Sequence, residues 1–494
     1  MDRASAVAFV RSLNTDHLSE RLAGNPKGIF GPALNKDMIT MKRTAQFPGF
    51  TFTTSRVLRS SRAIPAKLRQ LTAALFACGI GGALLLNPLL ASAIIIGPSG
   101  ATIAVPDPAS FGPGDIEFQG GTLEVTADSA FMPSYDDQQL LVGSAGGTLA
   151  VANGKTLELN TGIRVQDGVF RFGNAANAGT IVVGNLPWAQ VSRTSEIHFD
   201  AGTVRNTAGT YGIGPLLYGA QTVSIAAGAT LDLNGGSATF RNLQGAGQLE
   251  MGSGALSVMV LEGNFSGAIG GSRQLEKTGT GTLVLSGINT YTGGTRIDQG
   301  GVLSVSRDAN LGNASGSVYI NGETSKLQVT GTTFTQTGRS IQLGPLGGVI
   351  EIVDAANRLA LTGAVSGTGS LAKTGAGTLV LANSGNSYRD TYVWGGTLEG
   401  STETLRGDIL NTATVVFDQH GDGTFAGNIT GSGRIVKTGA GMLRLSNQNS
   451  AQQWKIQQGG VIFSANYIGL LPIEIDAGAT MAMTPMTWVP ITAH

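Results

Sequence analysis

Residues 277–287 read Lys277-Thr-Gly-Thr-Gly-Thr-Leu-Val-Leu-Ser-Gly287, a pattern that returns twice more along the chain. The second copy is Lys373-Thr-Gly-Ala-Gly-Thr-Leu-Val-Leu381, and the third is Lys437-Thr-Gly-Ala-Gly-Met-Leu-Arg-Leu445. In every copy a glycine precedes the lysine by 10 residues, and a Gly-Gly pair follows the lysine after 22 or 23 residues. Such a constant register is typical of a repeat architecture.

Each copy predicts one turn of a coil built from short β-strands. Side chains alternate along a strand, so Leu283 and Leu285 lie on the same face. Stacked turns would place these leucines in a continuous interior column, while Gly279 and Gly281 would supply the positive φ angles that tight corners need. The sequence therefore predicts an all-β fold, a right-handed parallel β-helix. An antiparallel sandwich has a similar composition, but the Asn-Gly and Asp-Gly turns typical of hairpins are scarce.

The residues to which we assign a structural role are the lysine, the threonine, two glycines and two leucines of each copy. They are Lys277, Thr278, Gly279, Gly281, Leu283 and Leu285, then Lys373, Thr374, Gly375, Gly377, Leu379 and Leu381, then Lys437, Thr438, Gly439, Gly441, Leu443 and Leu445.

The composition suits this fold and excludes several classes of protein. Glycine accounts for 74 of the 494 residues, only 13% of residues are charged, and 41% are apolar. The chain is therefore neither highly charged and disordered nor, without a Gly-X-Y period, collagen. Residues 94–494 contain 20 basic and 28 acidic residues. Such a surface would repel a phosphate backbone, so we expect no nucleic-acid partner.

Residues 1–93 have the charge pattern of an export leader. From Met41, the expected true start, the chain is basic without an acidic residue as far as an uncharged apolar segment at 71–86. Ala91-Ser92-Ala93 then provides the small residues that signal peptidase needs, which predicts cleavage between Ala93 and Ile94. The alternative is an uncleaved transmembrane helix over residues 71–93. A lipoprotein signal at Cys78 is disfavoured by the bulky Phe76.

The run from Lys277 to Gly287, with Asn289-Thr-Tyr-Thr-Gly-Gly294 after it, resembles the autotransporter-associated β-strand repeat of type V secretion passengers. In the third copy Gln448-Asn449-Ser450-Ala451 replaces that second turn. The resemblance implies a β-helical passenger that an outer-membrane barrel exports to the cell surface. It also implies two partners, the export machinery of the inner membrane and an outer-membrane translocator, if one exists.

We divide the chain on this basis into a leader at 1–93, an N-terminal passenger region at 94–262, the repeats at 263–463 and a tail at 464–494. The tail shows no series of the amphipathic strands that build a barrel. We therefore expect no C-terminal β-barrel in this chain, and a truncated passenger is one explanation.

Parallel β-helices also serve as polysaccharide hydrolases and lyases, which need converging carboxylates. Asp136 and Asp137 are adjacent, so in a strand they would point to opposite faces. Asp418, His420 and Asp422 have the spacing of the start of a calcium loop, but Ile429 stands where the bidentate glutamate belongs. We expect polar corners at both places. No catalytic, metal or cofactor site is predicted, and the protein is expected not to be an enzyme.

Five aromatic residues fall near the turn after the Gly-Thr-Leu strand. They are Tyr291, Tyr388, Tyr392, Trp394 and Trp454. Such residues either stack on sugars or a partner protein at the surface, or cap the interior column. The sequence favours the second role.

These observations predict a secreted or surface-displayed passenger that serves as a structural and adhesive β-helical stalk, with a host surface or glycan as its ligand. Its expected location is the cell surface or the extracellular space, or the periplasm if no barrel is supplied. One alternative is a β-helix polysaccharide hydrolase or lyase. Another is a non-functional passenger that has lost its translocator.

Overall fold

The structure is a computed structural model that describes residues 39–47, 50–58 and 93–483, apart from 113, 132–137, 185, 187–188, 208–211, 448, 451–452 and 465–471. The apolar segment of the predicted leader, the Asp136-Asp137 pair and most of the predicted tail lie outside the described residues. The chain divides into two units, Met1–Leu84 and Leu85–His494. In the described part, no helix has both the length and the apolar character needed to cross a bilayer.

In the part of the first unit that the structure describes, two strands pair antiparallel. Strand β1 (Ile39–Phe47) pairs with β2 (Phe50–Leu58), with Phe47 opposite Phe50 at the turn.

Over its described residues, the second unit is a coil of short parallel strands with about 18 turns and almost no helix. Its strands up to residue 270 are β3 (Ile94–Ile96), β4 (Thr102–Val105), β5 (Ile116–Phe118), β6 (Thr122–Val125), β7 (Ser129–Phe131), β8 (Gln139–Val142), β9 (Gly147–Val151), β10 (Thr156–Leu159), β11 (Gly162–Val165), β12 (Val169–Phe172), β13 (Thr180–Val183), β14 (Ala189–Val191), β15 (Glu196–Phe199), β16 (Gly202–Asn206), β17 (Thr222–Ile225), β18 (Ala229–Asp232), β19 (Thr239–Gly245), β20 (Gln248–Glu250), β21 (Val258–Phe265) and β22 (Ala268–Gly270). A short helix, α1 (Gly214–Gly219), precedes β17.

The later strands continue the same coil. They are β23 (Leu275–Lys277), β24 (Thr282–Leu285), β25 (Thr295–Asp298), β26 (Val302–Val305), β27 (Val318–Asn321), β28 (Lys326–Val329), β29 (Gln336–Thr337), β30 (Ile341–Leu343), β31 (Gly348–Ile352), β32 (Arg358–Leu361), β33 (Val365–Gly367), β34 (Leu371–Thr374), β35 (Thr378–Leu381), β36 (Thr391–Val393), β37 (Thr397–Gly400), β38 (Ile409–Asn411), β39 (Thr414–Asp418), β40 (Gly423–Phe425), β41 (Ile429–Thr430), β42 (Arg434–Thr438), β43 (Met442–Leu445), β44 (Gln453–Ile456), β45 (Gly460–Phe463), β46 (Ile473–Ile475) and β47 (Thr480–Met483).

Consecutive turns stack into parallel sheets. Before residue 270 the sheets are I (β3-β5-β8-β11-β14), II (β4-β6-β9-β12-β15-β17-β19-β21) and III (β7-β10-β13-β16-β18-β20-β22). The long strand β21 then pairs with both β23 and β24. From there the sheets are IV (β23-β25-β27-β30-β33), V (β24-β26-β28-β31-β34-β36-β38-β41), VI (β29-β32-β35-β37-β39-β42-β44-β46) and VII (β40-β43-β45-β47). The predicted parallel β-helix is confirmed.

The strands form because apolar and polar residues alternate with the period of a strand. In β24, Leu283 and Leu285 are buried, whereas Thr282 and Val284 are not. Corners require glycine where the backbone adopts a positive φ, as at Gly375 (φ 78°). A Cβ atom on Gly375 would also clash with the carbonyl oxygen of Ile352 from the turn below.

The expected interior column exists, but it does not join the leucines of the three copies. In sheet V, Leu283 stacks on Leu303, and this column continues through two further apolar residues to Lys373. The lysine strands β23, β34 and β42 lie on sheets IV, V and VI, and the leucine strands that follow lie on sheets V, VI and VII. Each copy therefore begins one sheet further round the coil than the copy before it. The expectation of a single shared column was wrong in this respect.

Candidate functional site

The lysine of each repeat lies inside the solenoid. Lys277, Lys373 and Lys437 are fully buried, because each follows an inward apolar residue by two positions in its strand. The Nζ atom of Lys277 donates hydrogen bonds to the carbonyl oxygens of Thr278 (2.8 Å) and Gly279 (2.7 Å). The ammonium group thus satisfies carbonyls at the corner that follows its own strand.

In the other two copies the lysine also reaches the next turn. Lys373 Nζ donates to the carbonyl oxygen of Gly395 at 2.9 Å, and Lys437 Nζ donates to that of Gln458 at 3.2 Å. Both acceptors belong to the Gly-Gly corner that the sequence repeats 22 residues after the lysine. A single side chain therefore links two successive corners of the coil.

Burial perturbs the protonation of these lysines. Desolvation lowers the pKa of Lys277 and of Lys373 to about 8, and it lowers the pKa of Lys437 as well. A nearby carboxylate partly opposes each shift, from Glu262 for Lys277 and from Glu351 for Lys373. The lysines bond to backbone carbonyls, so their role is to hold corners.

A buried asparagine also recurs in all three copies, and in the first two it bridges neighbouring turns. Asn289 accepts a hydrogen bond from the backbone amide of Ile269 (2.9 Å), and its Nδ2 donates to the carbonyl of Asn310. Asn386 bonds in the same way to Val365 and to Thr404. Each side chain bridges the turns before and after it. The sequence signal was the asparagine that follows the lysine by 12 or 13 residues.

The outward face next to each lysine strand differs between copies. In the first, Arg296 bonds to Asp298, lies 3.7 Å from Glu276 and sits over the ring of Tyr319. In the third, Lys455 pairs with Glu474 at 2.9 Å. These positions carry charges and place no constraint on the core.

In the second copy the corresponding outward positions are aromatic. Tyr392 occupies the position of Arg296 and Lys455, because each pairs with the residue that precedes a repeat lysine. Its ring stacks on that of Trp394, with centroids 5.6 Å apart and an interplanar angle of 12°. Trp394 is 50% exposed. We call these two residues the aromatic platform.

The other three aromatic candidates point inward. Tyr291, Tyr388 and Trp454 are buried. Tyr291 shares a hydrogen bond of 2.7 Å with Thr295, and burial raises its pKa. The capping role favoured by the sequence therefore fits three of the five aromatic residues and is wrong for the platform.

The predicted polar corner at Asp418, His420 and Asp422 is held by structural bonds. Asp418 accepts a hydrogen bond from Thr438 Oγ1 at 3.0 Å, and Asp422 accepts one from the backbone amide of Met442 at 2.9 Å. His420 is exposed and lies 3.7 Å from Asp418. Among the described residues, no group of three or more His, Cys, Asp or Glu side chains has an arrangement suited to a metal ion.

A shallow depression of about 330 Å³ lies on the N-terminal part of the coil, and Asp167, Arg171 and Glu196 contribute to it. Asp167 accepts hydrogen bonds from Thr194 and Ser192, which lower its pKa. A general acid needs the opposite shift. Glu196 bonds to His198 at 2.8 Å. The carboxylates of Asp167 and Glu196 are therefore already hydrogen-bonded to neighbouring side chains.

The sequence pattern did not indicate one pair of neighbouring carboxyl groups, those of Asp232 and Glu250. Asp232 and Glu250 are register partners on β18 and β20. Burial, and then the charge of Asp232, raise the pKa of Glu250. Arg205 neutralises Asp232 through a contact of 2.7 Å. The pair lies 18 residues apart in sequence, so only the turn length of the coil could have revealed it.

Comparison with known proteins agrees with this architecture. The family model for the passenger-associated-transport-repeat matches residues 275–305, 371–399 and 435–461. The adhesin BmaC autotransporter of Brucella suis biovar 1 (strain 1330) is 37% identical over 242 residues. The uncharacterized lipoprotein YdeK of Escherichia coli (strain K12) is 27% identical over 330 residues.

These alignments cover 45% and 65% of this chain, but they cover only 7% of the adhesin and 21% of the lipoprotein. The chain therefore spans a small part of the length of either relative. No solved structure matches the chain.

Proposed function

We propose that this chain, whose repeats are those of an autotransporter passenger, serves as a structural and adhesive stalk at the cell surface and not as an enzyme. The observation that carries the proposal is a difference between the inward and the outward positions of the repeats. The inward lysine recurs in every copy, whereas outward residues at equivalent positions are charged in two copies and aromatic in one. A rigid scaffold with a changeable surface suits binding.

The mechanical part of the proposal follows from the stacking. Every turn buries its apolar face against the turns above and below, so stability accumulates along the axis as in other solenoids. About 18 turns at roughly 4.8 Å per parallel strand spacing give a rod roughly 85 Å long. Such a rod holds a binding surface away from the membrane.

Export is part of the same proposal. The inner-membrane export machinery would recognise residues 1–93 and leave Ile94 as the new N-terminus. An outer-membrane translocator would then deliver the passenger region at 94–262 and the repeats at 263–463 to the surface. The similarity to an autotransporter adhesin supports this route.

The test is surface display and adhesion in the bacterium that encodes the chain. An epitope tag fits at Gly421, where an added side chain would meet open space. We expect antibody labelling of intact cells, removal of the epitope by external protease, and weaker attachment to host cells after deletion of the gene. N-terminal sequencing should begin at Ile94. An epitope protected from protease, together with unchanged attachment after deletion, would contradict the proposal.

A further inference from the structure

The aromatic platform, Tyr392 and Trp394, has the geometry of a binding surface. Both rings stand on the outward face of sheet V, because Tyr392 and Trp394 alternate with the buried residues Thr391 and Val393. The two rings are nearly parallel. Half of the Trp394 surface is exposed, whereas Tyr291, Tyr388 and Trp454 in the same repeats are buried. The fold does not require aromatic residues here, since equivalent positions carry Arg296 and Lys455.

The neighbours of the platform extend its apolar surface. Ala372 and Leu410 pair with Tyr392 from the strands on either side, and Leu410 is 38% exposed. Beside Trp394, Thr374 and Thr412 follow the inward residues of β34 and β38. The hydroxyl of Thr374 is buried, and that of Thr412 donates a hydrogen bond to the carbonyl oxygen of Val393 at 3.2 Å, so neither faces a ligand. The two rings and Leu410 therefore form an apolar surface of the kind on which the apolar face of a sugar ring stacks.

The charges near the platform bear on the kind of ligand. Asp390 and Asp408 precede the platform strand and its neighbour, and Asp408 accepts its hydrogen bonds from the backbone and side-chain amides of Asn428 (2.8 and 3.1 Å). These donors lower the pKa of Asp408, so it is ionised at neutral pH. Glu351 lies on the same sheet, two strands before the platform. Asp390 is paired with Arg389 at 3.1 Å and Glu351 with Lys326 at 3.1 Å. The charges beside the platform therefore largely balance, and they favour neither an anionic nor a cationic ligand.

We propose that the aromatic platform binds an uncharged oligosaccharide, with pyranose rings stacked on Tyr392 and Trp394 and hydroxyls bonded to the carboxylates of Asp390 and Asp408 beside them. This inference rests on the proposed adhesive function and names the ligand class of one surface. A patch of two rings fits a ligand of one or two sugar units on its apolar side, whereas a stable protein interface needs a much larger apolar area.

The experiment uses the full chain on a glycan array and in fluorescence titrations with the oligosaccharides that bind. The informative variant is Tyr392→Lys with Trp394→Gln, because Lys455 and Gln457 occupy these positions in the third copy and are compatible with the fold. A matched control is Tyr218→Ala, which removes another exposed aromatic ring far from the platform in sequence. Circular dichroism of all three proteins checks that the solenoid is intact.

We expect the unmodified chain and the Tyr218→Ala control to bind a neutral oligosaccharide, and the double variant to bind it at least about tenfold more weakly, as expected for loss of an aromatic anchor. Binding of acidic glycans alone, equal binding by the double variant, or no glycan binding would each overturn the inference. If cells that carry the double variant still attach, and attachment is lost only when the gene is deleted, the inference about the platform is overturned. The proposed adhesive function would still stand in that case.

Discussion

Replacing Lys373 by methionine removes a buried ammonium group and keeps a flexible side chain of similar length. Three carbonyl oxygens, those of Thr374, Gly375 and Gly395, then lose their donor. At about 1.5 kcal/mol for each unsatisfied carbonyl, the loss is about 4.5 kcal/mol. The variant no longer buries a charge, which returns about 3 kcal/mol for a pKa lowered from 10.5 to about 8. We expect a net loss of about 1–2 kcal/mol at pH 7.

The same lysine gives this loss a distinctive pH dependence. Its folded pKa lies below the unfolded value, so the unfolded chain binds more protons between pH 8 and 10.5. The free energy of unfolding contributed by Lys373 therefore rises with pH through that window. Methionine has no such contribution, so the deficit of the variant should grow to about 4 kcal/mol at pH 10.

Urea unfolding followed by circular dichroism at pH 7 and pH 10 measures both quantities. Lys155→Met is the control, because the Lys155 side chain is 42% exposed and pairs with Asp128 at 3.4 Å. Such a surface pair contributes less than about 1 kcal/mol. If Lys373→Met unfolds at the same urea concentration as the unmodified chain at both pH values, the lysine does not support the corners. Lys277→Met repeats the test in the first copy.

Two further changes test other parts of the fold. Gly375→Ala should destabilise the coil by roughly 1–3 kcal/mol, because φ at Gly375 is 78° and the added Cβ would clash with the turn below. In the control Gly421→Ala the added Cβ points into open space, so this variant should unfold like the unmodified chain. Equal urea midpoints for the two variants would contradict this account of the corner. Glu250→Gln should stabilise the chain by less than about 1 kcal/mol at pH 7. The pKa of Glu250 is raised in the folded chain, so its ionisation lowers the free energy of unfolding as pH rises above the unfolded value near 4.5. The gain from glutamine should therefore vanish below about pH 4, and a gain that persists in acid would have another cause.

The solenoid was predictable because the repeat is local and the strand period is short. Leu283 and Leu285 in one short strand, with glycines on both sides, specify a buried face without any distant information. The burial of the repeat lysines was also predictable, because Leu275 and Lys277 are two residues apart in one strand and therefore point to the same face. This burial was not predicted because lysine side chains are usually exposed at the surface.

The displacement of successive copies by one sheet was not predictable from the repeat. The lysines are 96 and then 64 residues apart, and these distances do not reveal how many turns separate them, because turns differ in length. The platform was hidden for a related reason. Tyr392 and Tyr388 lie in the same segment, and only the register of β36 decides that the first points outward while the second is buried.

The central claim is that the repeats form one parallel coil in which each copy advances by one sheet. A disulfide test addresses it, with Cys78→Ser so that no native thiol competes. Glu351 and Thr374 are register partners in sheet V, about 4.8 Å apart as parallel neighbours and within reach of a disulfide. We predict that Glu351→Cys with Thr374→Cys forms a cross-link on mild oxidation and that Gln342→Cys with Thr374→Cys does not. A cross-link only in the second pair would place the second copy on sheet IV, above the first, and would contradict the account.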